Sequence, residues 1–169
     1  GMSALPAIAI AHRQSDETMH ANPAAVPAVQ VIAGLKGIEQ LEADWRALEA
    51  SAAEKHHVFQ SYDWCSVWAR TYARHGSSFE PLLIAGRRQG ELVFLMPLMR
   101  DTSSRVPLLR WLTEPMGQYG DVLMRPGEDA KAWMAAAIGA VTARGGVAGL
   151  YLRHVREDAA AWPYLALTS

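Results

Sequence analysis

The sequence predicts an α/β (α+β) fold: a mixed, mainly antiparallel sheet flanked by helices, in the order β-α-α-β-β-β-β-α-β. Three observations carry this. Apolar residues at steps of three and four run from Leu35 to Leu48. Two apolar runs rich in strand formers, 82–85 and 92–96, flank a turn that contains a glycine. A Pro-Gly pair at 126–127 opens a helical stretch that Gly145 closes, and one more apolar run follows.

Residues 1–27 are rich in Ala, Pro, Ser and polar side chains with no sustained period, which predicts a flexible arm ahead of a folded domain at 28–169. Val29-Gln30-Val31-Ile32 is a short strand closed by Gly34. Leu35, Ile38, Leu41, Trp45 and Leu48 form one helical stripe, with Glu42 and Arg46 an i,i+4 pair in the favourable order. Ser61 is placed to cap a second helix, which carries Trp64, Trp68 and Tyr72 at steps of four and ends near Gly76. Arg87-Arg88-Gln89-Gly90 joins the two strands as a hairpin, and Asp101-Thr102-Ser103-Ser104 makes a second turn. Strands at 106–112 and 119–124 follow. Glu128 and Asp129 suit the positive end of a third helix, whose apolar stripe is Trp133, Ala137, Ala140 and Val141. Leu150-Tyr151-Leu152 is the last strand.

Composition narrows the function classes. A length of 169 residues fits one domain. A net charge of −1 leaves no electrostatic footprint for nucleic acid or an anionic membrane. One cysteine excludes an internal disulfide and fits a reducing compartment. No apolar run approaches the roughly 18 residues of a membrane span, and Ala7-Ile8-Ala9-Ile10 lacks the basic lead of a secretion signal. The expectation is a cytoplasmic protein with no membrane span and no nucleic-acid partner.

Several stretches resemble one family. Leu41-Glu42-Ala43-Asp44-Trp45-Arg46-Ala47-Leu48 and Val58-Phe59-Gln60-Ser61-Tyr62-Asp63-Trp64 are similar to the opening of the CelD-like GNAT acyltransferases, bacterial proteins linked to cellulose and exopolysaccharide biosynthesis. Met96-Pro97-Leu98 resembles the end of their second hairpin strand, and Gln118-Tyr119-Gly120-Asp121-Val122-Leu123 the strand before their third helix. The resemblance covers residues 30–155 and implies a GNAT-like fold, similar to the first half of a family that carries two such halves. It also implies acyl transfer from acyl-CoA, as a co-substrate rather than a permanent cofactor, to an amine or hydroxyl.

A GNAT acyl-CoA loop presents free backbone amides in a Gln/Arg-x-x-Gly-x-Gly/Ala pattern at a helix N-terminus. The corresponding loop here is Arg125-Pro126-Gly127-Glu128-Asp129-Ala130. Arg125 and Ala130 fit and Gly127 adds backbone freedom, so the resemblance makes these three the cofactor-binding candidates. Glu128 stands where the pattern needs glycine, and Pro126 removes an amide. Gly145-Gly146 misses the spacing and follows a helix. The pattern is therefore degenerate, and a chain of this kind is expected to need a second GNAT-like half or a second copy, through a sheet edge after Leu152.

Other chemistry is weaker. Trp64, Gln118, Tyr119 and Asp121 are candidates for substrate contact, with Trp64 or Trp111 as a sugar-stacking platform in a carbohydrate-binding alternative. The ordinary reading of the Trp64, Trp68 and Tyr72 stripe is core. Cys65 with His75 or His154 carries no nucleophile signature and reads as a buried small side chain. His56-His57 lacks ligand spacing, so no metal is expected. Arg87-Arg88 reads as a solvated hairpin tip, and Arg153, His154 and Arg156 as a surface edge. No general base is identifiable. A non-catalytic, degenerate GNAT-like binding or dimerisation module is the remaining alternative.

Overall fold

The computed structural model describes residues 28–52, 60–75, 78–112 and 120–152. The predicted arm at 1–27, the His56-His57 pair, Gly76, the Gln118-Tyr119 pair and the 153–156 edge lie outside the described residues. The described chain is a mixed α+β fold built on one open, mainly antiparallel sheet.

Strand β1 (Val29–Ala33) leads into helices α1 (Gly34–Gln40), α2 (Glu42–Ala52) and α3 (Tyr62–His75). Strands β2 (Phe79–Arg88) and β3 (Glu91–Asp101) form the central hairpin. Strands β4 (Leu108–Trp111) and β5 (Leu123–Met124), helix α4 (Ala130–Arg144) and strand β6 (Gly149–Leu150) complete the order. The single helix predicted across 35–48 is two. Leu41 sits at φ −87°, ψ −2°, and its N–H reaches the carbonyls of both Gly37 and Ile38. The stripe survives this break: Ile38, Leu41, Trp45 and Leu48 are all buried. Ser61 caps α3 as predicted, its Oγ accepting from the Trp64 N–H at 3.2 Å.

The sheet runs β1-β2-β3-β4-β6, with β6 parallel to β4 and the other pairings antiparallel. The hairpin turn places Gln89 at φ 52° and Gly90 at φ 81°, the pair of positive values that a two-residue type I′ connection requires. Both β4 and β5 lie on one side of β3, end to end: Leu98 pairs with Trp111, and Leu95 with Leu123. Pro97 falls between these two pairings, where a strand can lack a ladder donor without loss.

One irregularity sorts the core. Gly86 pairs with Phe94 and Arg87 with Leu92, so Val93 is an extra residue, a β-bulge. Alternation breaks there. Leu92 and Leu95 face the α1–α3 side, while Val93 and Phe94 both join the α4 side. The sheet therefore has a buried core on each face. One is made with α4, including Leu82, Ile84, Met96 and Trp133, and one with α1–α3, including Leu83, Ala85, Trp45 and Cys65.

Candidate functional site

The predicted cofactor loop sits between β5 and α4, against the hairpin end of the sheet. Pro126 and Gly127 form a turn closed by the Glu128 N–H on the Arg125 carbonyl at 3.2 Å. Gly127 takes φ 91°, which a residue with a side chain rarely adopts. The Arg125 N–H donates to the Val93 carbonyl at 2.8 Å, fastening the loop to the bulge.

Glu128 is the centre of this region. Its Oε1 accepts from Arg88 Nε and from Trp133 Nε1, each at 2.8 Å, and its Oε2 accepts from Arg125 Nη2 at 3.0 Å. Arg125 also reaches Glu91 at 3.2 Å. The Glu128 side chain is only 8% exposed. Burial alone would raise its pKa, but the donors from Trp133, Arg88 and Arg125 outweigh burial and hold the carboxyl below the ordinary range. Asp129 caps α4, accepting from the Ala132 N–H at 3.2 Å. The chain's own carboxylates thus occupy the electropositive end of α4 and its flanking arginines.

The Trp133 ring is part of the same arrangement. It stacks on Phe94 with centroids 5.5 Å apart and planes 9° from parallel, and the Arg88 guanidinium lies 5.4 Å from its centroid. Gly86 makes room for it: a Cβ there would stand 2.3 Å from Trp133 Cζ3.

The three cofactor candidates are therefore adjacent but differently placed. Arg125 is engaged by Glu91 and Glu128, Gly127 shapes the turn, and Ala130 begins the helix. Sequence reasoning missed Arg88, which it treated as a solvated tip. Arg88 is bound to Glu128, and Arg87 bonds Asp44 and the Gly90 carbonyl, each at 2.9 Å. The one available signal was a carboxylate standing where the family pattern has glycine.

Of the substrate candidates, Trp64 and Asp121 fall among the described residues. Asp121 is buried and accepts from the Val122 N–H at 2.7 Å. Trp64 lies on α3, partly exposed, its ring 6.2 Å from Trp68 and tilted by 57°. Of the stripe predicted there, Trp64 and Trp68 are half-buried, and the Tyr72 side chain lies outside the described residues. Tyr62, Cys65, Ser66 and Ala69 are fully buried residues of the helix. Trp111 is 2% exposed and offers no ring face at all.

Cys65 is fully buried, and burial, reinforced by Glu49, pushes its thiol far above the usual cysteine range, so it supplies no thiolate. The side chains of His75 and His154 lie outside the described residues. No cluster of three or more metal-ligating side chains occurs among the described residues, and none of their helices is long and apolar enough to cross a membrane. Leu150 and Leu152 are buried, and Leu150 lines an apolar pocket between β6 and α4 with Ile138, Val141 and Val147.

A second charged knot marks the other end of β3. Asp101 accepts from Arg110 Nε at 2.8 Å and from the Ser103 hydroxyl and N–H. Burial would raise its pKa, but the Ser103 and Arg110 donors outweigh it and leave the carboxyl below the usual range. No protein-family model, no curated protein and no solved structure matches the chain.

Proposed function

We propose that this chain is a GNAT-like binding half of the CelD-like kind, one that takes part in acyl transfer with a second half and does not cradle acyl-CoA alone. The observation that carries this reading is the Glu128 carboxylate, held by Arg88, Arg125 and Trp133 at the start of α4. A pyrophosphate in that place would meet two carboxylates, and their like charge would repel it. The mixed sheet and the CelD-like stretches at 41–48, 58–64 and 118–123 support the class. The resemblance implies acyl-CoA as the donor of the complete assembly and an amine or hydroxyl as the acceptor, with polysaccharide biosynthesis as the setting. In such an assembly the contribution of this half is orientation: it presents a rigid sheet and ordered surfaces against which the reacting half holds its acceptor.

Thermal unfolding with acetyl-CoA and longer acyl-CoAs tests the reading. No change in Tm is expected at millimolar ligand. A site filled at about 100 times its dissociation constant would add roughly 2.7 kcal/mol, several degrees for a domain of this size. A shift of that size in the unaltered chain would overturn the binding-half reading.

A further inference from the structure

Strand β1 is the outer strand of the sheet, and among the described residues no strand pairs with its open side. Helix α1 packs over β1 and β2 on one face and α4 over the other, so both helices lie on the sheet rather than beyond its edge.

The ladder decides which backbone groups that edge presents. The Pro97 carbonyl accepts from the Leu112 N–H at 3.0 Å, so the backbone polar groups of Pro97 point toward β4. The N–H and C=O of a strand residue share one side, and that side alternates along the strand. Pro97 pairs with Leu83, so the Leu83 groups point away from β3 and bond Ile32 of β1. By the same alternation Ala85 bonds Gln30. Val29 and Val31 are left with their N–H and C=O directed outward.

The sequence shows what fits this edge. Val29-Gln30-Val31 reads the same in both directions. A second copy of β1, laid antiparallel about a two-fold axis at Gln30, sets Val29 of each copy against Val31 of the other. Each such pair exchanges both of its backbone bonds, a ladder of about four in all. Val29 and Val31 pack against the α4 core and are only half-buried, so their pairing extends that core across the axis. Gln30 is exposed and projects to the opposite face, where it meets its own counterpart, and two amides can donate to and accept from one another. The five residues of β1 carry no charge, so the pairing sets no like charges against each other. Edges kept unpaired are commonly guarded by Lys or Pro, and this one has neither. Such self-complementarity is the property that a two-fold interface requires.

We infer that the open edge of β1 is a dimer interface at which two copies of this chain join their sheets, centred on Gln30. It lies at the edge opposite β6 and does not rest on the acyl-transfer reading. The contact is short, so the dimer belongs to the weak class of interface and is concentration-dependent.

Sedimentation velocity over a concentration series, from micromolar to hundreds of micromolar, tests it. The unaltered chain is expected to pass from monomer to dimer. Gln30→Lys alone and Gln30→Glu alone place like charges across the axis and are expected to weaken the dimer at least tenfold, with an unchanged circular dichroism spectrum as evidence of folding. An equimolar mixture of Q30K and Q30E is expected to restore it. Gln30→Cys is expected to form an intermolecular disulfide on mild oxidation, because position 30 meets itself. Amide hydrogen exchange by NMR supplies an independent readout. The Val29 and Val31 amides are expected to gain protection as concentration rises, while those of Gln30 and Ile32, already bonded to β2, do not change. A chain that stays monomeric throughout, or a dimer indifferent to Q30K and Q30E, overturns the proposal. A monomer whose Val29 and Val31 amides are already protected overturns it too, because another segment of the chain would then hold this edge.

Discussion

Helices α3 and α4 both bear tryptophans, and they use them in opposite ways. Trp133 of α4 is buried against Phe94 and Gly86, with its N–H on Glu128. Trp64 and Trp68 of α3 are only half-buried, while the smaller Cys65, Ser66 and Ala69 are fully buried. The difference lies in the space each helix is given. A glycine on β2 opens a slot for an indole under α4, whereas α3 buries the smaller Tyr62 ring edge-on against Trp45 beside Cys65, Ser66 and Ala69. Ring size alone therefore does not decide which face of a helix is core; the partner surface does.

The largest effect that would sharpen this contrast is Trp133→Ala, expected to lower stability by about 3–5 kcal/mol through the cavity and the loss of one of the Glu128 hydrogen bonds. Urea unfolding measures it, and a cost below about 1 kcal/mol would erase the distinction between the helices. Gly86→Ala comes next. The new methyl would overlap the Trp133 ring, at an expected cost of about 1–3 kcal/mol in the same assay.

Glu128→Gln tests the polar side of the Trp133 seat and is expected to cost about 1.5–3 kcal/mol near neutral pH. The sign of the pH dependence follows from the depressed carboxyls of Glu128 and Asp101. Their stabilisation is full above the unfolded-chain value of about 4 and is lost as pH falls through the lower folded values. The variant should therefore unfold with a shallower dependence on pH below about 4 than the unaltered chain. Equal slopes would mean that Glu128 contributes nothing to acid unfolding. The smallest effect belongs to Trp68→Ala on α3, about 1 kcal/mol, because that ring is only half-buried. A loss of several kcal/mol there would show that α3 and α4 do not differ as described.

The legible parts of the sequence were those whose cause is local. The stripe from Ile38 to Leu48, the Ser61 cap and the 82–96 hairpin each rest on spacing or on a turn residue. What the sequence hid is non-local. The mate of Glu128, Arg88, is 40 positions away, and nothing near either residue announces the other. The end-to-end seating of β4 and β5 along β3 depends on pairing, which no single segment encodes. At α3 two faces carry apolar residues at helical spacing, and periodicity reports both alike. For the candidate site, the loop at 125–130 was found from the family pattern, but its closure by Glu128 needed the geometry of three separate elements.

The extra residue at Val93 sets a rule for how this chain can change in length. Leu92 faces one core, and Val93 and Phe94 both face the other, so excising Val93 would leave a strand that alternates without a break. Loss of any single residue between Leu95 and Met99 would instead exchange the two cores along the rest of β3. Position 93 is thus where β3 tolerates an edit of one. The edit would still remove the carbonyl that receives the Arg125 N–H, so a shorter hairpin would come with a loosened turn ahead of α4. Descendants of this sequence that differ by one residue in β3 are expected to do so at the bulge, and to carry a changed loop at 125–130 along with it.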